Sequence, residues 1–353
     1  VSRNGRPRLT PNSARVHWHS SISGCVHDRT EACAGRHPCA VAPRIARGRS
    51  GRGVFEKRHL GYVDEQGLIM EIPEAIPEGH LFTHEAMHTT FSMRFLELER
   101  HAAEGLAREC CEQLDALESL LSRFVDGSDV SRINAMEAGE TLHLNEETHA
   151  CLILAMQGYE LTGGLFDVTL GARIGHRKSM LEGKEPELAG RLVVHPDVAA
   201  VTCEEPGRVI DLGGIGKGFA LDRVKEMLAE WEAPEFMLAA GASSLLAHGD
   251  QAWPVDLAGA EESKRIGLRE AALSASGTIM QGSHIVHPGG LDAMPAHPCE
   301  HVWVTAGSAA LAEIWSTALM LLPVEEIPKF LRDDDGLFSV HADCAGRLRR
   351  LWG

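Results

Sequence analysis

Val209-Ile-Asp-Leu-Gly-Gly-Ile-Gly-Lys-Gly-Phe-Ala-Leu-Asp222 is the stretch around which the chain reads. A strand-like apolar run enters a turn holding Gly213, Gly214, Gly216 and Gly218, and a helical pattern leaves it near Phe219 through Val224, Met227 and Leu228. Glycines this dense let backbone groups approach a ligand with no Cβ in the way, and the helix N-terminus behind them suits a phosphate. Lys217 adds a positive charge. The pattern is not a Walker loop, because Gly216-Lys217 is followed by Gly218 rather than Ser or Thr, and Asp211 stands where that motif's first glycine belongs. Nor is it a G-x-G-x-x-G fingerprint. A tight strand-to-helix turn with no ligand fits the same residues.

The chain has 353 residues, enough for one large domain or two ordinary ones, and a net charge of −16. That charge is uneven: residues 1–58 carry about +9, which leaves about −25 on the remainder. A body this acidic repels nucleic acid, and a phosphorylated ligand needs a metal or local cations to offset the field. No apolar run is long enough to span a membrane. The nine cysteines show no regular spacing, which argues against a disulfide framework and for a reducing compartment. Cys25, His27, Cys33, His37 and Cys39 match no standard zinc spacing.

Residues 1–69 are rich in Arg, Ser, Gly and Pro without amphipathic periodicity, so they are expected to stay outside the fold, as a disordered tail or as upstream sequence. Met70 is a candidate initiator. No signal-peptide core is visible, and a cytoplasmic location is expected. Residues 70–353 form the folded domain. Met87–Leu98 alternates as a strand, and Leu98, Ala102, Leu106, Cys110, Leu114, Leu117, Leu121 and Phe124 mark one long amphipathic helix. A second helix is expected over Glu146–Leu161, and residues 171–206 are polar and poorly patterned. Strands are expected in Phe236–Gly249, Ala271–Ala275 and His301–Thr305, with an apolar helix over Ser308–Leu322 opened by a serine cap.

Five ordered motifs carry a resemblance. Ser122-Arg-Phe-Val-Asp-Gly-Ser-Asp-Val-Ser-Arg-Ile-Asn134, Gly163-Gly-Leu-Phe-Asp167 and the Asp211–Asp222 stretch are followed by Ser276-Gly277 with His284-Ile-Val-His-Pro288, and by Ala312-Glu-Ile-Trp-Ser-Thr317. Together they resemble the ApbE-like family of FAD:protein FMN transferases. The resemblance implies an α+β fold of mixed sheets with packed helices, and metal-dependent transfer of FMN from FAD to a Thr or Ser hydroxyl of an acceptor protein. It implies that Mg²⁺ is held by Glu313, Thr317 and the carbonyl of Gly216, with His284 and Glu313 as catalytic residues and His284 accepting the hydroxyl proton. Asn134, Phe166, Asp167, Gly214, Lys217, Gly218, Asp222, Gly241, Ser276 and Gly277 fall in the flavin- and phosphate-binding motifs.

The physics is compatible. Glu313 and Thr317, four residues apart on a helix, project from one face. Cleaving a pyrophosphate requires neutralising developing oxygen charge, positioning the leaving phosphate and activating a hydroxyl. The chain also departs from the family. Glu313 replaces an aspartate, Gly241-Ala242-Ser243 replaces Gly-Gly-Asp, Met87-His88-Thr89 replaces Met-Gly-Thr, and His287 replaces an aspartate. Two other readings therefore stand beside the transferase: a non-catalytic FAD-binding protein of the same fold, and a metal-dependent FAD pyrophosphatase in which water replaces the acceptor hydroxyl.

Overall fold

The computed structural model describes residues 61–63, 69–71, 73–179, 184–277, 285–295 and 299–353. In order these form β1 (Gly61–Val63), β2 (Ile69–Glu71), β3 (His80–Ala86), β4 (Thr89–Leu96), α1 (Arg100–Leu121), α2 (Asp129–Asn134), β5 (Thr141–His143), α3 (Glu146–Leu161), α4 (Gly171–Lys178), β6 (Arg191–Val194) and β7 (Ala200–Glu205). Then come α5 (Gly216–Glu230), β8 (Glu235–Ala240), β9 (Ser244–His248), β10 (Trp253–Ala258), β11 (Ser263–Leu268), β12 (Ala271–Gly277), β13 (His301–Ala306), α6 (Ala309–Leu319), α7 (Ile327–Phe330), β14 (Leu337–Cys344) and β15 (Arg347–Trp352).

An eight-stranded antiparallel sheet in the order β15-β14-β13-β12-β9-β8-β4-β3 is the spine. Its inner face carries Phe91, Met93 and Phe95 of β4 at alternate-residue spacing through the buried core, and α5 and α6 pack there. α6 is buried nearly all round, as a helix apolar on every side must be. The β10–β11 ribbon covers the outer face with Trp253, Leu257 and Leu268. A separate three-stranded sheet runs β5-β7-β6.

The α+β class holds, with several differences in detail. The run before the glycine turn is no strand: Val209 makes one isolated parallel bridge to Leu170. α5 starts at Gly216, three residues before Phe219, because the amides of Ile215 and Gly216 both bond to the Leu212 carbonyl and close the first turn early. In α1 the buried stripe begins at Ala103 and Ala107 rather than Ala102 and Leu106, small side chains that let the helix close on the core, and Phe124 lies exposed beyond its end. Polar residues 171–206 hold α4, β6 and β7, whose few core side chains (Leu192, Val194, Val201, Cys203) are too short a signal for periodicity. β1 lies inside the segment expected outside the fold and pairs with β2 at that segment's end, whereas Cys25, His27, Cys33, His37 and Cys39 lie outside the described residues. Cys299 and Cys344 form a disulfide; Cys110, Cys111, Cys151 and Cys203 are free thiols.

The contact between the sheet and the β10–β11 ribbon is mostly apolar and includes one part-buried polar pair. His341 of β14 is buried there, and Lys264 of β11 places Nζ 3.1 Å from its Nε2. An ammonium only donates, so Nε2 accepts and the ring is neutral. Burial, followed by the charges of Lys264 and Arg350, lowers the His341 pKa to about 4. An imidazole kept neutral in the fold contributes stability above its unfolded pKa of about 6.5, and loses it as pH falls from there towards the folded value. Urea unfolding is predicted to show up to about 3 kcal/mol less stability at pH 4 than at pH 7 from this group. The His341→Gln variant should lack that component of the slope, and a wild-type slope in the variant would contradict it.

Candidate active site

The contact between the first turns of α5 and α6 builds the site. A Cβ at Gly218 would lie 2.5 Å from the Ala309 carbonyl oxygen and 2.7 Å from the Ala310 nitrogen, so only glycine lets the helices meet here. One turn on, Asp222 caps α6: its carboxylate accepts from Ser308 Oγ (2.7 Å) and from the amides of Ala309 (2.8 Å) and Ala310 (2.9 Å). Burial raises the Asp222 pKa, and those three donors oppose the shift. This seam brings Lys217 Nζ to 3.7 Å from Glu313 Oε1.

Glu313 is only 3% exposed. Its Oε1 accepts a 2.5 Å hydrogen bond from Ser244 Oγ, while its Oε2 is buried without a hydrogen-bond partner among the described residues. A buried carboxylate oxygen left unmatched costs stability unless a cation or donor completes it. Thr317, one turn further, faces the glycine turn: a Cβ at Gly214 would lie 3.2 Å from the Phe166 ring and 3.6 Å from Thr317 Oγ1. Gly216 is the first residue of α5. The amides of Gly214, Lys217 and Gly218 have no backbone acceptor among the described residues, leaving donors at a helix N-terminus.

Other residues hold this turn in place. The Asn134 side chain accepts from the Ile210 amide (2.7 Å) and donates to its carbonyl (3.0 Å), clamping the chain just before the turn. Asp211 accepts from the Gly213 amide at 2.8 Å and pairs with Arg123 Nε at 3.3 Å. Asp167 accepts from the amide and hydroxyl of Thr169, and burial raises its pKa against those bonds and the charges of Arg208 and Arg173. Gly241 turns β8 into β9 at φ +61°, with Thr89 Oγ1 2.7 Å from where its Cβ would be. Ser276 faces α6, its hydroxyl 2.9 Å from that of Ser316. Gly277 does not join them: it sits on the opposite face of the sheet, where its missing side chain makes room for the His301 ring. His284 lies outside the described residues.

A family model described as the ApbE family matches residues 87–340. The chain belongs to the ApbE family. Two curated relatives of this ApbE chain are named FAD:protein FMN transferase. The one from Klebsiella pneumoniae (strain 342) is 22% identical over 291 residues, covering 70% of this chain and 80% of that protein. The one from Salmonella typhimurium is 22% identical over 307 residues, covering 74% and 85%. Among solved structures, the flavin transferase ApbE from Vibrio cholerae has a TM-score of 0.68 at 19% identity, covering 77% of this chain and 96% of that one. The apo flavinyl transferase ApbE of Pseudomonas stutzeri has a TM-score of 0.67 at 22% identity, covering 80% and 100%. At these identities the structures show the shared fold.

Among the described residues no cluster of three or more His, Cys, Asp or Glu side chains is placed to hold a metal. The donor set from the resemblance is of another kind, with one carboxylate, one hydroxyl and one carbonyl. The unmatched Glu313 Oε2 fits a cation, and oxygen donors are those that Mg²⁺ takes.

Two groups of residues were not singled out from the sequence. Arg173 and Arg177, four apart on α4, donate to the carbonyls of Pro288 (3.0 Å) and Ile285 (2.8 Å), holding the segment next to His284. Within it His287 is buried, its Nδ1 accepts from the Gly289 amide, and burial and Arg177 lower its pKa. Only the i, i+4 spacing on α4 could have marked the arginines, and no helix was legible there. The second is Ser244, whose hydroxyl reaches Glu313. A cleft of about 740 Å³ between α3 and α5, lined by Ile153, Leu154, Phe219 and Arg223, touches Asp222 and Ser308 but not Glu313.

Gly218→Ala drives a methyl into the α6 backbone. It is predicted to lower stability in urea unfolding by about 1–3 kcal/mol, the usual range for overpacking. A change below a few tenths of a kcal/mol would show that the helices do not meet as described.

Proposed function

We propose that this flavin transferase moves FMN from FAD onto a Thr or Ser hydroxyl of an acceptor protein, with a divalent metal. The observation that carries the reading is the buried Glu313 carboxylate, one oxygen tied to Ser244 and the other unmatched, with Lys217 Nζ 3.7 Å away. Its relatives' names supply the substrate and product classes.

In this reading the free amides of the glycine turn and the Lys217 ammonium bind the FAD pyrophosphate and hold it in line. Glu313, Thr317 and the Gly216 carbonyl would hold Mg²⁺, which when bound neutralises charge developing on the phosphate oxygens. The acceptor oxygen forms a bond to the FMN phosphorus, the bridging P–O bond to AMP breaks, and AMP leaves with the bridging oxygen. The hydroxyl proton goes to a base, for which His284 is the candidate. Arg173 and Arg177 fix the segment beside that histidine. The closed first turns of α5 and α6 exclude water from the carboxylate.

The test is incubation of the full chain with FAD, Mg²⁺ and Ser- or Thr-containing acceptor peptides, followed by mass spectrometry for peptide-bound FMN and chromatography for AMP. Metal-dependent labelling with equimolar AMP is expected, and Glu313→Ala should reduce it by about 100-fold or more. Free FMN and AMP without labelled peptide would identify a pyrophosphatase. FAD binding without any turnover would leave the non-catalytic reading.

A further inference from the structure

Glu313 is a long, flexible side chain with more rotamer freedom than a shorter acid, and a buried carboxylate needs one orientation to present one oxygen. The structure shows what selects it. Ser244 Oγ donates to Oε1 at 2.5 Å, and Lys217 lies on the same oxygen at 3.7 Å. The hydrogen bond and the shortest Lys217 approach both fall on Oε1, and Oε2 is left without a hydrogen-bond partner among the described residues.

Ser244 is suited to hold this geometry. It is the first residue of β9, directly after the Gly241 turn, and its backbone is paired with Ala240 on one side and Ser274 on the other. It is 1% exposed, so no water competes for its hydroxyl. The hydroxyls beneath α6 are otherwise engaged: Ser316 Oγ lies 3.0 Å from Ser274 Oγ and 2.9 Å from Ser276 Oγ, and bonds to the Glu313 backbone carbonyl at 3.2 Å, while Ser243 Oγ lies 3.5 Å from Ser244 Oγ. Among the described residues, Ser244 is the one hydroxyl on the carboxylate itself.

We propose that Ser244 is a positioning residue that orients the Glu313 carboxylate for the metal. This rests on the reading of Glu313 as the metal-holding acid. Partners that orient a ligating group from behind are worth about 10–100-fold in metal affinity. Ser244 therefore controls metal affinity without touching the metal, through the oxygen it holds back.

The test uses Mn²⁺ as the probe, with binding to the full chain followed by electron paramagnetic resonance in the absence of FAD. Ser244→Thr and Ser244→Val are nearly equal in volume and both suit a strand, so they differ in the hydroxyl alone. The expected result is Mn²⁺ affinity near wild type for Ser244→Thr and about 10-fold or more weaker for Ser244→Val. Ser244→Ala, which adds no bulk, should match Ser244→Val even if the β-branched pair folds poorly. Equal affinity with and without the hydroxyl would overturn the role of Ser244 while leaving the metal site in place. Undiminished binding by Glu313→Gln, or no binding by wild type, would overturn the reading of Glu313 and this inference with it.

Discussion

The contact between the first turns of α5 and α6 is the constraint on which the rest depends. Gly218 lets the two backbones touch, and Asp222, one turn later, ties the α6 N-terminus to α5 through three hydrogen bonds. With that seam fixed, Lys217 is carried to Glu313 and the glycine turn is carried to Thr317. The sheet supplies the floor: β9 delivers Ser244 and β12 delivers Ser274 and Ser276 to the underside of α6. No single element contains the site.

The polarity of the seam follows from burial. A carboxylate as enclosed as Glu313 is costly to keep ionised unless charges or donors surround it. Lys217 and Ser244 meet part of that need, and both act on one oxygen. In the proposed reaction the unmet half would be completed by a cation, which would also offset the charge of a phosphorylated ligand in a protein whose body is strongly acidic. Asp222 lies half-buried near Glu313, yet its carboxylate is taken up in capping α6, so two neighbouring acids have separate tasks set by their partners.

Local signals made much of this legible in the sequence. The helix that follows the glycine run, the serine cap of α6, the span of α3 and the apolar character of α6 are encoded by neighbouring residues and are present in the fold. Thr317, Phe166 and Gly214, which the resemblance grouped with Glu313, lie against one another at the glycine turn. What stayed hidden depended on distant pairing. Asn134 is a clamp on Ile210, 76 residues away, and Ser244 meets Glu313 across 69 residues. Asp222 and Gly218 were read as ligand-shaping residues, but the contacts they make are with α6. α4 was invisible because its mean composition is polar, its purpose being to present arginines rather than to cover a core. The Cys299–Cys344 bridge joins residues with no shared spacing pattern, which only the pairing of β13 with β14 makes neighbours.

In the proposed reaction the unmatched oxygen of Glu313 and the glycine turn form one metal and pyrophosphate site. Anomalous diffraction from crystals grown with FAD and Mn²⁺ tests it most directly. The expected result is an anomalous peak bonded to Glu313 Oε2, with the FAD pyrophosphate against the amides of Gly214, Lys217 and Gly218. A metal peak away from Glu313, or a pyrophosphate seated in the cleft between α3 and α5, would contradict it.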